Sequence, residues 1–468
     1  MNQFRLKLEE FKIVFLGPLF FQMKVQSFPN AFTIVVAFIL MAGILTYIIP
    51  KGKYDRVFDP KTNREVAIPG SYKQVDSENL SPFEILTCIP RGIINGGEVV
   101  VLIFFVGGCL FIVEKTGALK AGVSRLSSLL QGYEEWALVL VGILFAIGGA
   151  TSGLQEEIIP LIPILLILTR TLGYPPLVTI AVSFGAAAVG SAFSPVNAFG
   201  AVIAQKVAEV PFLTGAGFRM CTFVVAFALW MYLTIRYGNK HRLTKVTDEI
   251  QTTKKLSNAH GLILIIILLA FALLIYGMLA LGWGFNHISA EFFVVAILVG
   301  LIGGMGINKT FITYTEGFKE LTFAGMIVGL AYGISLVLKE GLIIDTIIYG
   351  LFTPLQHVPP VLSSIGMMGS QALLHIAVPS YSGQAVLTMP ILAPLSDLIG
   401  LSRDVCVMAF QFGAILMDLI IPTNGALMAV IAIAGISYNE WVKFIMKRLL
   451  VMYVLCVVIL VAASVLGL

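Results

Sequence analysis

Long apolar runs constrain this chain more than any other feature. Of its 468 residues, 58% are hydrophobic and only 12% are charged, whereas soluble domains carry about 25% charged residues. A helix needs roughly 20 apolar residues to cross the hydrocarbon core of a bilayer. Nine segments are predicted to do so: 28–50, 97–114, 176–204, 213–235, 260–282, 287–306, 321–338, 402–433 and 441–467. We therefore predict an all-α, multi-pass protein whose solvent is the lipid bilayer, in the cytoplasmic membrane of a bacterium.

The apolar stretches 133–172 and 361–400 differ from these spans because glycine, proline and serine interrupt each of them in the middle. Each half is shorter than a full span once its polar ends are removed. Both stretches are therefore predicted to be re-entrant helical hairpins, which enter the membrane and turn back. Their turns are expected at 148–153 and 378–383.

The basic residues predict the orientation of the chain. The linker 236–258 contains six lysine and arginine residues, and the N-terminal segment contains Arg5, Lys7, Lys12 and Lys24. Loops rich in lysine and arginine stay in the cytosol. Nine crossings and two hairpins that do not cross place both regions on the cytosolic side and the C-terminus outside. The same charges therefore belong to membrane topology, and we predict no nucleic-acid partner.

An internal repeat with an offset of 227 residues supports the same architecture. The matching residues are Pro163 and Pro390, Gly173 and Gly400, Pro195 and Pro422, and Asn197 and Asn424. With the orientation above, the two copies enter the membrane from opposite sides, and inverted repeats with interrupted helices are typical of secondary transporters. The predicted divisions are a cytosolic segment 1–27, repeat 1 (28–236), a cytosolic linker 237–258, a linking transmembrane helix 259–286 and repeat 2 (287–468).

Each repeat combines its hairpin with a broken helix, 176–204 in the first copy and 402–433 in the second. Proline removes a backbone donor at Pro195 and Pro422, and unpaired backbone groups at membrane depth are tolerated where they line a cavity. Hydroxyl and amide oxygens nearby are ligands of the type that a hard cation prefers. The candidate substrate- or ion-binding residues are Thr151, Ser152, Gln155, Glu156, Glu157, Ser194, Asn197, Ser380, Ser382, Gln384, Asp418, Thr423 and Asn424. No cofactor is predicted beyond Na⁺ or H⁺ as a possible coupling ion.

Five stretches carry a resemblance to a known family: TYIIPKGKYDR (46–56), SPFEIL (81–86), GGATSGLQEE (148–157), GAGFR (215–219) and DLIIPTNGALMAV (418–430). The whole chain resembles the YfcC branch of the anaerobic C4-dicarboxylate carrier family and, more distantly, the aminobenzoyl-glutamate transporters of the ion-transporter superfamily. The resemblance implies a homodimer, elevator-type movement of the hairpins, and substrate and ion sites at the hairpin tips and helix breaks. The sequence departs from the family pattern at the first break, where Ser194-Pro195 replaces an Asn-Pro pair.

The acidic residues favour a cationic substrate. A charge near the bilayer centre costs roughly 2.5–3.5 kcal/mol, so Glu156, Glu157 and Asp418 are expected to serve a site. One of the paired glutamates is expected to face the pocket, and a guanidinium or ammonium group would keep it ionised. The related arginine/ornithine exchangers point the same way, and we predict an antiporter of basic amino acids. The alternative is an ion-coupled C4-dicarboxylate carrier, for which the intramembrane bases are His375 and two arginines, Arg219 and Arg403, that are expected to snorkel to the interface.

Other functional classes have less support in the sequence. There is no HExxH, GxSxG or GxxxxGK[ST] motif, so neither an enzyme nor ATP-driven transport is predicted, and no catalytic residue is proposed. A channel would also fit the number of spans. A carrier exchanges substrate across the membrane at a saturable rate, which distinguishes it from a channel.

Overall fold

The computed structural model describes residues 31–59, 64–119, 121–122, 125, 132–197, 200–243 and 257–468. Helices dominate this part of the chain, as predicted. They are α1 (Ala31–Ile48), α2 (Pro82–Asn95), α3 (Gly97–Thr116), α4 (Glu134–Ser152), α5 (Ile162–Thr171), α6 (Pro176–Phe193), α7 (Ala201–Val207), α8 (Ala216–Lys240), α9 (Asn258–Ala280), α10 (Phe285–Ile302), α11 (Gly306–Glu340), α12 (Ile344–Phe352), α13 (Pro360–Ala377), α14 (Tyr381–Leu398), α15 (Arg403–Met417), α16 (Gly425–Ile433) and α17 (Tyr438–Leu466). Two 3₁₀-helices, Glu156–Leu161 and Thr353–His357, precede α5 and α13.

Among the described residues, nine helices are long and apolar enough to cross a membrane: α1, α3, α4, α6, α8, α9, α10, α11 and α17. The predicted number of spans is confirmed, but one member differs. α4 is 19 residues long, although we expected half a hairpin to be too short. Thr151 and Ser152 form its last turn, and their hydroxyls donate to the carbonyls of Ile147 (2.8 Å) and Gly148 (3.0 Å). Conversely, the predicted span 402–433 is divided into α15 and α16, and neither part reaches a full span.

The two halves of the chain present their elements in the same order. In each half, a helix, a short non-helical link and a second helix are followed by an interrupted helix and a closing span. This order gives α4, α5, α6 with α7, and α8 in the first half. It gives α13, α14, α15 with α16, and α17 in the second. The order agrees with the predicted repeat, while the inverted orientation of the copies and the division into domains stay predictions.

The breaks lie where proline predicted them. α6 ends at Phe193, just before Ser194 and Pro195, and α7 begins at Ala201. In the second copy α15 ends at Met417 and α16 begins at Gly425, so the break around Pro422 comprises residues 418–424. α6 also contains a π-helical turn, Ala181–Gly185. Such turns disturb the regular ladder of backbone hydrogen bonds and are common near functional sites.

The helices pack as two groups. The first, which we call the scaffold group, comprises α1, α2, α3, α9, α10 and α11, with the long α11 packed along α1, α2 and α3. The second, which we call the hairpin group after the two predicted hairpins, comprises α4 to α8 and α13 to α17, and most of the largest hydrophobic core lies within it. α6 packs against α4 and α15, and α13 packs against α15. The groups meet where the 3₁₀-helix Glu156–Leu161 contacts α3 and where α16 contacts α11.

The segment between α1 and α2 forms two small antiparallel ribbons. β1 (Gly52–Lys53) pairs with β4 (Lys73–Gln74), and β2 (Arg56–Asp59) pairs with β3 (Arg64–Ala67). Asp345 of α12 anchors the segment, because its carboxylate accepts hydrogen bonds from the Arg56 guanidinium at 2.7 and 2.8 Å and from the Tyr54 amide at 2.9 Å. β3 also packs against α14. The segment therefore connects the scaffold group to the second hairpin.

Candidate functional site

A cavity of about 540 Å³ lies between the scaffold and hairpin groups. α3, α11 and the link between α9 and α10 form one wall, and the links inside the two hairpins form the other, together with the start of α16. Eight of the thirteen predicted site residues line this cavity: Ser152, Gln155, Glu156, Glu157, Ser380, Ser382, Thr423 and Asn424. Thr151, Ser194, Asn197, Gln384 and Asp418 do not.

The charged groups of the cavity are all acidic. Glu156 and Glu157 contribute two carboxylates from the hairpin group, and Glu98 at the start of α3 contributes a third from the scaffold group. No lysine, arginine or histidine lines the cavity within the part of the chain that the structure describes. The formal charges on the cavity wall are therefore all negative. The uncharged part of the wall consists of serine, threonine, amide and aromatic side chains, among others.

The backbone at the first hairpin link brings the glutamates to the cavity. α4 ends at Ser152 and is capped by Gly153, whose positive φ of 66° is readily available to glycine, and Glu156 and Glu157 begin the 3₁₀-helix. Glu157 is buried, and one carboxylate oxygen accepts a hydrogen bond from the Gln155 amide at 3.2 Å. Glu156 is only partly buried. Both residues border the cavity, so the expectation that one of them faces it alone is too simple, but only Glu157 turns back to the hairpin backbone.

Two helices of the second half of the chain, α14 and α16, begin at the cavity. The Ser380 hydroxyl accepts a hydrogen bond from the Gly383 amide at the start of α14, at 3.3 Å. The Asn424 side-chain oxygen accepts one from the Leu427 amide at the start of α16, at 2.8 Å. Thr423 precedes this cap, and its buried hydroxyl makes no hydrogen bond in the described structure. A buried polar group without a partner is unusual, and here it lies beside an open cavity.

Asp418 lies directly behind the cavity and connects both hairpins. Its carboxylate accepts hydrogen bonds from the side-chain amides of Gln155 and Asn424, both at 2.5 Å, and contacts Nε2 of His375 at 2.9 Å. Gln155 also donates to the Tyr381 hydroxyl. Asp418 itself lies in the second break, because α15 ends at Met417.

His375 continues this cluster into the second hairpin. The side chain is fully buried, and its Nδ1 lies 2.6 Å from the side-chain oxygen of Gln384. The Gln384 side-chain amide in turn donates to the Gln371 carbonyl at 2.9 Å. Gln384, a predicted site residue, is thus one shell removed from the cavity. The same holds for His375, which the sequence offered as a base for dicarboxylate binding.

The first break is organised differently. The Ser194 hydroxyl donates to the carbonyl of Ala150 at 2.5 Å, and the Asn197 side-chain amide donates to the carbonyl of Gly149 at 2.8 Å. Ser191 donates to the same Gly149 oxygen at 2.7 Å. These predicted site residues therefore hold the backbone of the first hairpin link. They are directed away from the cavity because their donors satisfy carbonyls at the end of α4.

Arg219 corrects one prediction. We expected it to snorkel to the interface from the start of α8, but only 2% of it is exposed. Its guanidinium donates to the Asp404 carboxylate at 2.6 Å and to the side-chain oxygen of Gln411, which in turn donates to the Ser194 carbonyl at 3.0 Å. Arg403 follows the expectation more closely, since it is partly exposed and pairs with Asp397 at 2.6 Å.

The sequence analysis missed the cavity residues of the scaffold group and one of the second hairpin. Glu98, Trp283 and Tyr332 line the cavity from α3, the α9–α10 link and α11, and Tyr381 lines it from the start of α14. Glu98 carried a usable signal, because it is an acidic residue at the start of an apolar span, like the two glutamates of the hairpin. The aromatic residues carried none, since aromatic side chains are common in membrane spans.

Comparison with known proteins shows the family of this chain. The sequence profile of the C4-dicarboxylate anaerobic carrier family (DcuC) matches residues 28–465. An uncharacterized protein of Haemophilus influenzae is 32% identical over 91% of this chain and 95% of its own length. YfcC of Escherichia coli, a putative basic amino acid antiporter, is 26% identical over 94% of this chain and 97% of its own length. The solved YdaH transporter of Alcanivorax borkumensis covers 94% of this chain and 99% of its own, at 15% identity and a TM-score of 0.44. The chain belongs to the C4-dicarboxylate anaerobic carrier family.

Proposed function

We propose that this membrane transporter exchanges basic amino acids of the arginine and ornithine type. The observation that carries the proposal is the charge of the cavity, where three carboxylates and no basic side chain line the wall in the described part of the chain. The relative YfcC bears the name of a putative basic amino acid antiporter, which agrees with this chemistry. A cationic side chain would form charge-assisted hydrogen bonds with the glutamates, which are stronger than those between neutral groups.

The energetic reason lies in the cost of burying charge. Glu156 and Glu157 form no ion pair with a described lysine or arginine side chain. A carboxylate removed from water without a cationic partner is strongly destabilised, and a bound guanidinium or ammonium group would remove much of this cost. Glu98 stands on the scaffold side of the same cavity and would add to the attraction of a second positive group, such as an α-ammonium.

A C4-dicarboxylate, after which the family is named, fits this cavity less well. It would bring two negative charges to a wall that already has three carboxylates, and like charges repel strongly where water is scarce. The remaining donors for a dicarboxylate are the hydroxyls of Ser152, Ser380, Ser382 and Thr423 and the backbone amides at the start of α14 and α16. They are suited to the single carboxylate of an amino acid.

The transport cycle is part of the same proposal. We propose that the hairpin group moves relative to the scaffold group, as elevator-type relatives do, and that the protein works as a homodimer. The cavity lies between the two groups, so such a movement would change which side of the membrane it faces. Exchange of one cationic amino acid for another needs no coupling ion. Net transport needs one, with Na⁺ and H⁺ as the candidates.

Counterflow in proteoliposomes tests the proposal. Purified protein is reconstituted with unlabelled arginine inside, and uptake of labelled arginine, ornithine, lysine and succinate is measured with and without the internal substrate. We expect saturable uptake of the three cationic amino acids that depends on internal arginine. Exchange of succinate without exchange of arginine would contradict the proposal, and large unitary currents in planar bilayers would indicate a channel.

A further inference from the structure

Both ring nitrogens of His375 face hydrogen-bond acceptors. Nδ1 lies 2.6 Å from the side-chain oxygen of Gln384, and Nε2 lies 2.9 Å from Oδ1 of Asp418. A neutral imidazole has one donor and one acceptor nitrogen, whereas the imidazolium has two donors. The geometry therefore matches a doubly protonated His375, provided that the two facing oxygens are acceptors.

Backbone carbonyls fix the direction of the hydrogen bonds on the Gln384 side. The Thr388 hydroxyl donates to the Gln384 carbonyl at 2.8 Å, so its oxygen accepts from the Gln371 side-chain amide, also at 2.8 Å. The Gln371 side-chain oxygen is then the acceptor that faces Gln384, and the Gln384 amide donates both to it and to the Gln371 carbonyl. A carbonyl cannot donate, so the Gln384 side-chain oxygen must be the atom that faces His375.

The direction is fixed on the Asp418 side as well. Asn424 accepts the Leu427 amide proton through its side-chain oxygen, so its side-chain NH₂ group faces Asp418. The Gln155 side-chain oxygen faces the same Asn424 amide at 3.4 Å, so the Gln155 NH₂ group faces the other oxygen of Asp418. Both oxygens of Asp418 therefore already receive donors. These two donors satisfy the carboxyl group without a proton of its own. One proton between Oδ1 of Asp418 and Nε2 of His375 then completes the hydrogen-bond network.

We infer that His375 and Asp418 form a buried imidazolium–carboxylate pair, and that this pair is a proton-binding site coupled to the substrate cavity. Proton loss would leave a neutral histidine whose lone pair faces either a carboxylate or an amide oxygen, at a position that is fully buried. The hydrogen-bond network thus stabilises the protonated form of the pair. Burial and the charges in the nearby cavity also affect the free energy of releasing the proton.

Gln155 provides the path between this site and the cavity. Its side-chain amide donates a hydrogen bond to Asp418, and Gln155 lines the cavity beside Glu156. The Glu156 and Asp418 carboxyl groups are close enough to interact electrostatically. The other titratable groups that face the pair are Tyr381, which stacks on the His375 ring at 5.8 Å, and Tyr453 of α17. No further charged side chain of the described chain faces His375 or Asp418.

The sign of the coupling follows from the charges and rests on the proposed cationic substrate. A guanidinium or ammonium group at Glu156 places a second positive charge near the His375 imidazolium and disfavours its proton. After the proton has left, the Asp418 carboxylate contributes a net negative charge that attracts the substrate. Binding of a basic amino acid should therefore release a proton, and affinity should increase with pH by up to about tenfold per pH unit for one proton fully released. This relation would support exchange of a basic amino acid for a proton.

Two measurements on the full-length protein test the inference. Nitrogen-15 NMR of histidine-labelled protein in liposomes reports the protonation of each ring, and the signal that disappears in His375→Gln belongs to this residue. Without substrate, we expect both ring nitrogens of His375 to carry protons, which is the state that two facing acceptors satisfy. A neutral tautomer at pH 7 would overturn the ion pair. If His375→Gln does not fold, Gln384→Met removes the acceptor at Nδ1, together with the amide that donates to Gln371, and should leave His375 with a single ring proton at pH 7.

Isothermal titration of arginine in buffers with different ionisation enthalpies counts the released protons. We expect up to about one proton per arginine in the native protein and none in His375→Gln, while the exposed control His357→Gln behaves like the native protein. Arginine binding without proton release would overturn this inference and leave the proposed function intact. Proton release that persists in His375→Gln would assign the proton to another group, such as Glu156. Absence of arginine binding at every pH would contradict the proposed function, while the NMR result would still decide the ion pair.

Discussion

Replacing Glu156 with glutamine removes one of the three carboxylates that line the cavity and preserves the size and polarity of the side chain. Glu156 is partly buried and forms no ion pair with a described basic side chain, so its charge is free for a cationic substrate. A hydrogen bond to a charged group contributes about 1.5–3 kcal/mol. Glu156→Gln should therefore lower arginine affinity by about ten- to a hundredfold, since 1.4 kcal/mol corresponds to a factor of ten.

Glu157 provides the comparison within the same pair. Its carboxylate accepts a hydrogen bond from the Gln155 amide at 3.2 Å, and a glutamine oxygen can accept the same bond. Glu157→Gln should therefore reduce arginine affinity less than Glu156→Gln does. Glu316→Gln, on an exposed turn of α11, is the matched control for the loss of one negative charge far from the cavity and should leave affinity unchanged.

The assay measures arginine binding and arginine counterflow in all three variants, with succinate uptake alongside. If the substrate is cationic, Glu156→Gln should transport arginine less well than the native protein does. The native protein should then not transport succinate. A dicarboxylate carrier predicts the opposite, because removal of a negative charge should leave succinate uptake intact or improve it. Unimpaired arginine affinity in both Glu156→Gln and Glu157→Gln would refute the role that we assign to the acidic cavity.

Three further predictions concern the cavity, the core and the topology. Thr423→Val removes a buried hydroxyl that has no hydrogen-bond partner in the described structure, so the midpoint of thermal unfolding should not fall. Arginine affinity should fall by about three- to tenfold, because the hydroxyl is expected to bind substrate. Unchanged affinity would show that Thr423 is not part of the site. Asp404→Ala leaves the buried Arg219 guanidinium without its carboxylate and should cost about 3–5 kcal/mol, seen as a lower unfolding midpoint in detergent; an unchanged midpoint would contradict a structural ion pair. The last test introduces single cysteines at Asn239 or Asp76 into a protein without native cysteines and treats intact cells with a thiol reagent that cannot cross the membrane. The cysteine at position 239 should be protected on the cytosolic side, and the one at position 76 should be labelled. The reverse pattern would show that the topology is inverted.

Local sequence signals predicted the elements of the fold well. The spans follow from runs of apolar residues, and the helix breaks follow from Pro195 and Pro422, because proline cannot donate a backbone hydrogen bond. The position at which α4 ends was harder to predict from the sequence. Thr151 and Ser152 are polar residues that predict a turn, but in the structure both belong to the last turn of α4, where their hydroxyls donate to carbonyls of the preceding helical turn. This choice depends on local competition that the residue types alone do not decide.

Pairings between distant residues could not be predicted from the sequence. Asp404 and Arg219 are 185 positions apart, and Gln155 and Asp418 are 263 positions apart. A single sequence contains no information on such contacts beyond the expectation that buried charges find partners. Asn424→Ala illustrates the same point, because the sequence names Asn424 only as a candidate binding residue. The structure predicts a cost, because Asn424 caps α16 at Leu427 and such caps contribute about 0.5–2 kcal/mol.

The repeat offset of 227 residues relates two positions that differ in chemistry, Ser191 and Asp418. Ser191 and Asn197 both donate to the Gly149 carbonyl, so the first break uses neutral side chains to hold the hairpin backbone. At the second break, Asp418 and Asn424 bond to each other, and Asp418 gathers donors from both hairpins. A hydroxyl at Ser191 binds no proton at physiological pH, whereas the Asp418–His375 pair can gain or lose one. In the proposed mechanism, the neutral first break positions the first hairpin and its glutamates, and the His375–Asp418 pair beside the second break connects those glutamates to a proton.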